Sequence, residues 1–328
     1  MTISFIVATA RCGGSGSGPT TPSSTGGPPP AQNWTLAGIL TDVVSGAPIA
    51  GATLTFASGS VATTDATGAW KVSGTGTVTT NQRITIAASG YLSRQSAVRW
   101  DAAGRDGVAL DLMPERAPFS LDFYRQFVRN ALESPASLQP LRRWSGNPNF
   151  YVDTFNPKTG QPLEAAELSL VVRAIQDAVP QLTGGMFVAG AIESASEPRP
   201  TRTGYINVEF VYDPTADYCG QAYVGANPGN ITINYDRCAN VCGSLKVTPE
   251  TIAHEVGHAM GFWHTDGDHV MSPTRPRRCS NVTFTSDERV HARIAYLRPP
   301  GSVDIDQDPS GVAYVDAGGP APLVVCRR

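Results

Sequence analysis

The sequence predicts two folded units in series, an N-terminal all-β sandwich and a C-terminal α+β domain whose twisted mixed sheet supports a reactive helix. Three observations predict this. Short β-branched stretches alternate with turn signals from residue 33 to about 114. Apolar residues at helical spacing enter only after Pro118. The chain, at 328 residues and 41% hydrophobic, exceeds a single domain of ~100–200 residues yet has enough apolar content for two cores.

The leading segment comes first. Ile3–Ala10 is a short apolar stretch that reads as a signal remnant over residues 1–12, without the usual preceding Lys or Arg; a start placed too late accounts for that. Cys12 before a Gly/Ser/Pro tract is similar to bacterial lipoproteins, which implies a lipid anchor at Cys12. Arg11 departs from the small residue such signals carry, and the alternative is a cysteine in a disordered tail. Residues 13–32 are almost entirely Gly, Ser, Thr and Pro, a composition that cannot bury enough apolar surface to offset ordering, so they read as a disordered linker.

In residues 33–114 strands are expected at Thr35–Leu40, Ala52–Phe56, Trp70–Val72 and Arg83–Ala87. The Ser45–Ala52 segment, the Thr64–Trp70 turn and the Ala88–Tyr91 end resemble the carboxypeptidase-regulatory-like, prealbumin-like β-sandwich. That resemblance implies a spacer or adhesive module beside a catalytic domain.

Residues 115–300 have a different texture. Leu121, Phe123, Tyr124, Phe127 and Val128 can line one helix face, and Asn149–Val152 reads as a strand. Leu163–Val179 has helical periodicity and is expected to stop at Pro180. Strands follow at Ile206–Tyr212 and Ile231–Tyr235, then a helix from Thr248. Thr285 and Glu288 form a capping box before a closing helix toward Tyr296. The Gly/Pro/Asp-rich residues 301–328 read as a tail without functional signal.

The chemistry concentrates in His254-Glu255-Val256-Gly257-His258-Ala259-Met260-Gly261-Phe262-Trp263-His264. Positions four apart on a helix lie one above the other, so His254 and His258 can direct ring nitrogens at one metal ion. Glu255 is then placed to reach a metal-bound water without being a ligand. Gly261 is expected to end the helix in a left-handed conformation, turning the chain so that His264 becomes the third ligand. Three imidazoles leave a fourth position for water, the mark of a catalytic zinc site. Thr248-Pro249-Glu250 supplies an N-cap, a proline for the first turn and an acidic residue at the positive helix end. Four of the five histidines lie between 254 and 269, which favours a metal site over scattered core histidines. His269 does not fit the ligand spacing and reads as a loop residue. Asp266 and Asp268 are either partners orienting an imidazole or turn residues.

Together with Val270-Met271-Ser272-Pro273, this motif resembles the metzincin zinc metalloproteases, closest to the matrixin branch. Pro273 stands where astacin-like and serralysin-like enzymes place a tyrosine ligand, which argues against those branches. The resemblance implies a zinc-dependent endopeptidase hydrolysing protein or peptide substrates through a zinc-activated water, with Glu255 as general base and Met271 as an apolar floor under the imidazoles. It also implies that Asn230–Asn234 pairs with an extended substrate; an ordinary internal strand is the alternative. A catalytically weak, zinc-containing surface adhesion protein is the alternative function. One Zn2+ is expected; calcium sites are not readable.

Composition excludes other classes. A net charge of −3 with 16% charged residues gives no footprint for nucleic acid or anionic membrane. No apolar run reaches the ~18 residues of a membrane span. The expected location is extracellular or cell-surface, where Cys219, Cys238, Cys242 and Cys279 would form two bridges of unassigned pairing. A second zinc site using Cys238 and Cys242 is the rival reading. Cys326 remains as the odd cysteine.

Overall fold

The computed structural model describes residues 33–75, 82–98, 104–238, 245–280, 282–310 and 322–327. Cys12 and Cys242 lie outside them. The described residues begin with seven strands: β1 (Asn33–Asp42), β2 (Thr53–Phe56), β3 (Val61–Thr63), β4 (Ala69–Thr75), β5 (Gln82–Ala87), β6 (Arg94–Val98) and β7 (Gly104–Leu112). They form two sheets, β4-β1-β7 and β3-β2-β5-β6. Alternate residues point inward, as in β2, where Leu54 and Phe56 are buried and Thr53 and Thr55 exposed. Leu36, Leu40, Leu54, Trp70, Ile84, Ile86 and Leu110 meet in one core between the sheets.

The second part runs α1 (Leu121–Arg129), β8 (Asn149–Asp153), α2 (Ala165–Leu182), β9 (Ile192–Ala195), β10 (Tyr205–Val211), β11 (Tyr218–Tyr223), β12 (Gly229–Asn234), α3 (Pro249–Ala259), α4 (Ser286–Tyr296) and β13 (Leu323–Arg327). Its six-stranded sheet has the order β13-β11-β12-β10-β8-β9. The β9, β8, β10 and β12 strands are parallel, whereas β11 is antiparallel to both its neighbours. Helix α3 packs against α2 and across β11 and β12, which sets the reactive segment on the sheet. No described helix is long and apolar enough to cross a membrane.

Three expectations change. Helix α2 passes Pro180 and ends at Leu182. Proline removes only one backbone donor this close to the end, while Val179 and Leu182 are fully buried and hold the last turn in the core. The chain then leaves through Gly184 at φ +60°, with the Gly185 N–H donating to Pro180 O at 2.8 Å. Strand β12, which contains Asn230–Asn234, lies between β10 and β11 and is internal, so it offers no edge to a substrate. Within residues 301–328, Asp306 O accepts from Gln95 N at 2.9 Å, and Asp308 pairs with buried Arg94 at 2.9 Å. The final strand β13 completes the large sheet.

Candidate metal centre

Helix α3 begins as its sequence requires. The Thr248 hydroxyl accepts from Thr251 N at 3.0 Å, Pro249 occupies the first turn, and Glu250 sits at the positive end of the helix dipole. One turn separates His254 from His258. Gly261 ends the helix at φ +111°, and a Cβ there would fall 2.0 Å from Arg142 O, so both conformation and space demand glycine. The turn returns the chain to place His264 opposite the helix pair.

The three Nε2 atoms converge: His254 to His258 is 3.1 Å, and each lies 3.2 Å from His264. Each ring's other nitrogen is committed. His254 Nδ1–H donates to Val270 O at 2.7 Å, His258 Nδ1–H to Phe262 O at 2.8 Å, and His264 Nδ1–H to Glu133 Oε1 at 2.5 Å. These acceptors fix the Nδ1–H tautomer, so three lone pairs face one another, an arrangement that suits a cation. Ligands ~2.0–2.1 Å from a tetrahedral metal would stand about 3.3 Å apart, close to the observed triangle. All three histidines are buried. Desolvation drives His254 and His258 well below the usual histidine range and keeps them neutral, as ligands must be.

Glu255 is wholly buried, and neither carboxylate oxygen has a hydrogen-bond partner among the described residues. Burial pushes its carboxyl up to about 8, with the Arg277 guanidinium opposing. It has room because β11 carries glycine beside it: a Cβ on Gly220 would lie 2.6 Å from Glu255 Oε1. Met271 is buried against α3 at Gly257, where a Cβ would meet its sulfur at 2.3 Å. Met271 N donates to Glu288 Oε1 at 2.9 Å, which ties this turn to α4.

The structure therefore brings together His254, His258 and His264, with Glu255 beside them and Met271 against the same helix. Two suggestions fail. Asp266 meets Gln126 through its backbone N–H, and Asp268 pairs with Arg275 and Arg278; the carboxylate that orients an imidazole is Glu133, 41% exposed. The loop reading of His269 agrees with its contacts, Thr285 at 3.0 Å and the Phe123 ring, away from the triangle. Cys219 and Cys238 form a disulfide, which removes Cys238 from any second zinc site. Cys279 is disulfide-bonded as well. One further residue went unread in the sequence, Arg277, which donates to Val270 O, and the odd cysteine, Cys326, lies with its sulfur beside His254 and Glu255 in a second metal-capable group.

No family model matches the chain, and no curated protein matches it. Among solved structures, it is similar to a type II cohesin–X-dockerin complex from Acetivibrio cellulolyticus, at 18% identity over 25% of this chain and 58% of that one, TM-score 0.20. A DUF3823 family protein from Parabacteroides merdae aligns at 14% identity over 26% of this chain and 47% of that one, TM-score 0.21. Catechol 1,2-dioxygenase from Acinetobacter radioresistens aligns at 12% identity over 26% and 53%, TM-score 0.21. The chain spans about half the length of these structures, and overlaps this weak carry no argument about the site.

Proposed function

We propose that this protein is an exported zinc endopeptidase of the metzincin type, with His254, His258 and His264 as ligands and Glu255 as general base. One observation carries the reading: three Nε2 atoms converge while a buried carboxylate, without a partner among the described residues, stands one residue along the same helix. The mixed sheet behind α3 and the Met271 turn beneath it support the metzincin assignment. The disulfides support export.

A divalent ion held by the three imidazoles would supply an acidified water and polarise a carbonyl. The chain's own part is proton handling and positioning. Glu255, whose buried carboxylate has no hydrogen-bond partner among the described residues, takes a proton during attack on the peptide carbonyl and passes it to the leaving amine. Val270 O, Phe262 O and Glu133 hold the imidazoles in the tautomer and orientation that binding needs.

The test is metal content and cleavage of an unfolded protein by the wild type and Glu255→Gln, with and without chelator. About one zinc per chain in both, with cleavage confined to chelator-free wild type, is expected. Equal cleavage by Glu255→Gln, or a chain that holds no metal, would remove the proposal.

A further inference from the structure

Helix α1 and the turn after it cradle the segment that carries the third histidine. Phe127 O accepts from Trp263 N at 2.8 Å, Gln126 Oε1 accepts from Asp266 N at 2.9 Å, and the Phe127 ring stacks on Phe262 at 4.2 Å. Glu133 completes the cradle at His264 itself. His254 and His258 are set by one helix, whereas His264 lies beyond it and takes its place from these contacts.

What fixes α1 comes from far along the chain. Arg125 pairs with Asp304 through two nitrogens, at 3.0 and 2.8 Å, and buried Arg129 donates to the Ser302 carbonyl and, at 3.1 Å, to its hydroxyl. The same stretch then grips the sandwich. Asp306 O accepts from Gln95 N at 2.9 Å and Asp308 N donates to Gln95 O at 2.8 Å, so residues 306–308 run beside β6, the edge of its four-stranded sheet. Strand addition of this kind is how separate proteins dock on a sheet edge. Arg94 pairs with Asp308 at 2.9 Å, Arg83 donates to Asp308 O at 2.8 Å, and Arg298 joins Asp306 to Asp111 of β7. Arg94, Arg298, Asp306 and Asp308 are buried, and removing one member of such a network strands the others. Val43, Leu92 and Met113 of the sandwich also belong to the same apolar core as Phe119, Phe123 and Phe127.

We propose that residues 302–308 are a clasp through which the β-sandwich positions His264, so that the sandwich is part of the metal centre's support and not a spacer beside it. The inference rests on reading the three histidines as a metal site. The contacts run from Arg94 and Gln95 through Asp308 and Asp306 to Asp304 and Ser302, then through Arg125 and Arg129 of α1 to Trp263, His264 and Asp266. Arg94, Asp304 and Asp308 belong to none of the metal-capable groups, so they act as positioning residues.

The experiment measures zinc affinity of the full chain by competition with a chromogenic chelator. Arg94→Gln frees the clasp from the sandwich, and Asp304→Asn frees it from α1; Asp304 is partly exposed, so its variant reads the effect even where Arg94→Gln does not fold. Each should weaken zinc binding ~10-fold, the scale on which orienting partners act. In a His264→Ala background, which keeps the helix pair alone, Asp304→Asn should change the affinity no further, because the two substitutions act through one ligand. An equal loss with and without His264 overturns the positioning role and leaves only a general scaffold. A second arm inserts a protease site after exposed Glu115, between the sandwich and α1. Once cut, the sandwich should co-elute with the remainder and zinc should stay bound. Departure of the sandwich with zinc affinity unchanged overturns the proposal. A wild type that binds no zinc removes the metal reading and this inference with it, whereas a chain that binds zinc as expected without cleaving protein removes the peptidase reading alone.

Discussion

Two buried carboxylates, one in each part of the molecule, are treated in opposite ways. Asp42, at the end of β1 in the sandwich, accepts from Val44 N at 2.8 Å, Ser45 N at 3.0 Å, Tyr91 Oη at 3.2 Å and Arg116 at 2.8 Å. Burial pushes its pKa up, but the Ser45 and Val44 amides outweigh it and the carboxyl ends below the ordinary aspartate range. Glu255 is more deeply enclosed than Asp42 and has no such donors among the described residues, so burial wins and its carboxyl rises. Satisfied burial holds a fold together. Unsatisfied burial costs stability, and it persists where a group is kept in reserve for a ligand or a proton.

The largest expected effect separates these roles. Glu255→Gln should lower cleavage by ~10²–10⁴-fold, the usual share of general acid–base catalysis, without loss of metal. Because it removes a poorly solvated acid, it should not lower the melting temperature of chelator-treated protein. A loss of stability with unchanged turnover would invert the comparison. Asp42→Ala is the mirror experiment. It should destabilise the chain by ~1.5–3 kcal/mol in denaturant titration, because four donors lose a charged acceptor, and the metal content of the folded protein should not change.

Glu133 tests a milder form of the same distinction. Its carboxylate orients His264 from a partly exposed position, so Glu133→Gln should weaken metal binding by ~10-fold, at the lower end of what such orienting partners contribute. Competition with a chromogenic chelator measures it. An unchanged affinity would mean that the backbone carbonyls on His254 and His258 suffice to organise the ring.

These contrasts also explain what could be read in advance. Four of the seven sandwich strands, β1, β2, β4 and β5, were legible because one face of each is buried, which leaves alternation in the sequence, as in Thr53–Phe56. Helix α3 was legible because its cap, its first-turn proline and its paired histidines are local. Strand β8 has three successive buried residues and loses that alternation, and β11, with Cys219, Gly220 and Gln221 at its centre, lacks β-branched character. Glu133 lies 131 residues before the histidine it orients, a distance only folding closes. The signal for β13 was present in Leu323-Val324-Val325, but the Gly/Pro-rich approach to it reads as tail. Its partner is a strand that was itself unseen.

The smallest effect concerns a third buried titratable group, His291 on α4, which stands between the two carboxylates in character. Its Nδ1–H donates to Asp287 O at 2.7 Å and its Nε2 accepts from Ser120 N at 2.9 Å, so the neutral ring is satisfied on both sides. Phe119 and Phe123 pack around it at 5.3 and 4.8 Å. Burial lowers its pKa, and the hydrogen bonds to Asp287 and Ser120 only partly restore it. Below its ordinary value of about 6.5 the unfolded chain therefore takes up a proton that the folded chain refuses, and stability falls as pH drops through that value toward the folded pKa. His291→Gln removes that uptake. Its unfolding free energy should fall less steeply with acid than that of wild type, by at most ~1.4 kcal/mol per pH unit, when chelator-treated proteins are titrated with urea from pH 7.5 to 5. Parallel slopes would mean that the ring accepts its second proton in place, and that paired burial alone does not hold a histidine neutral here.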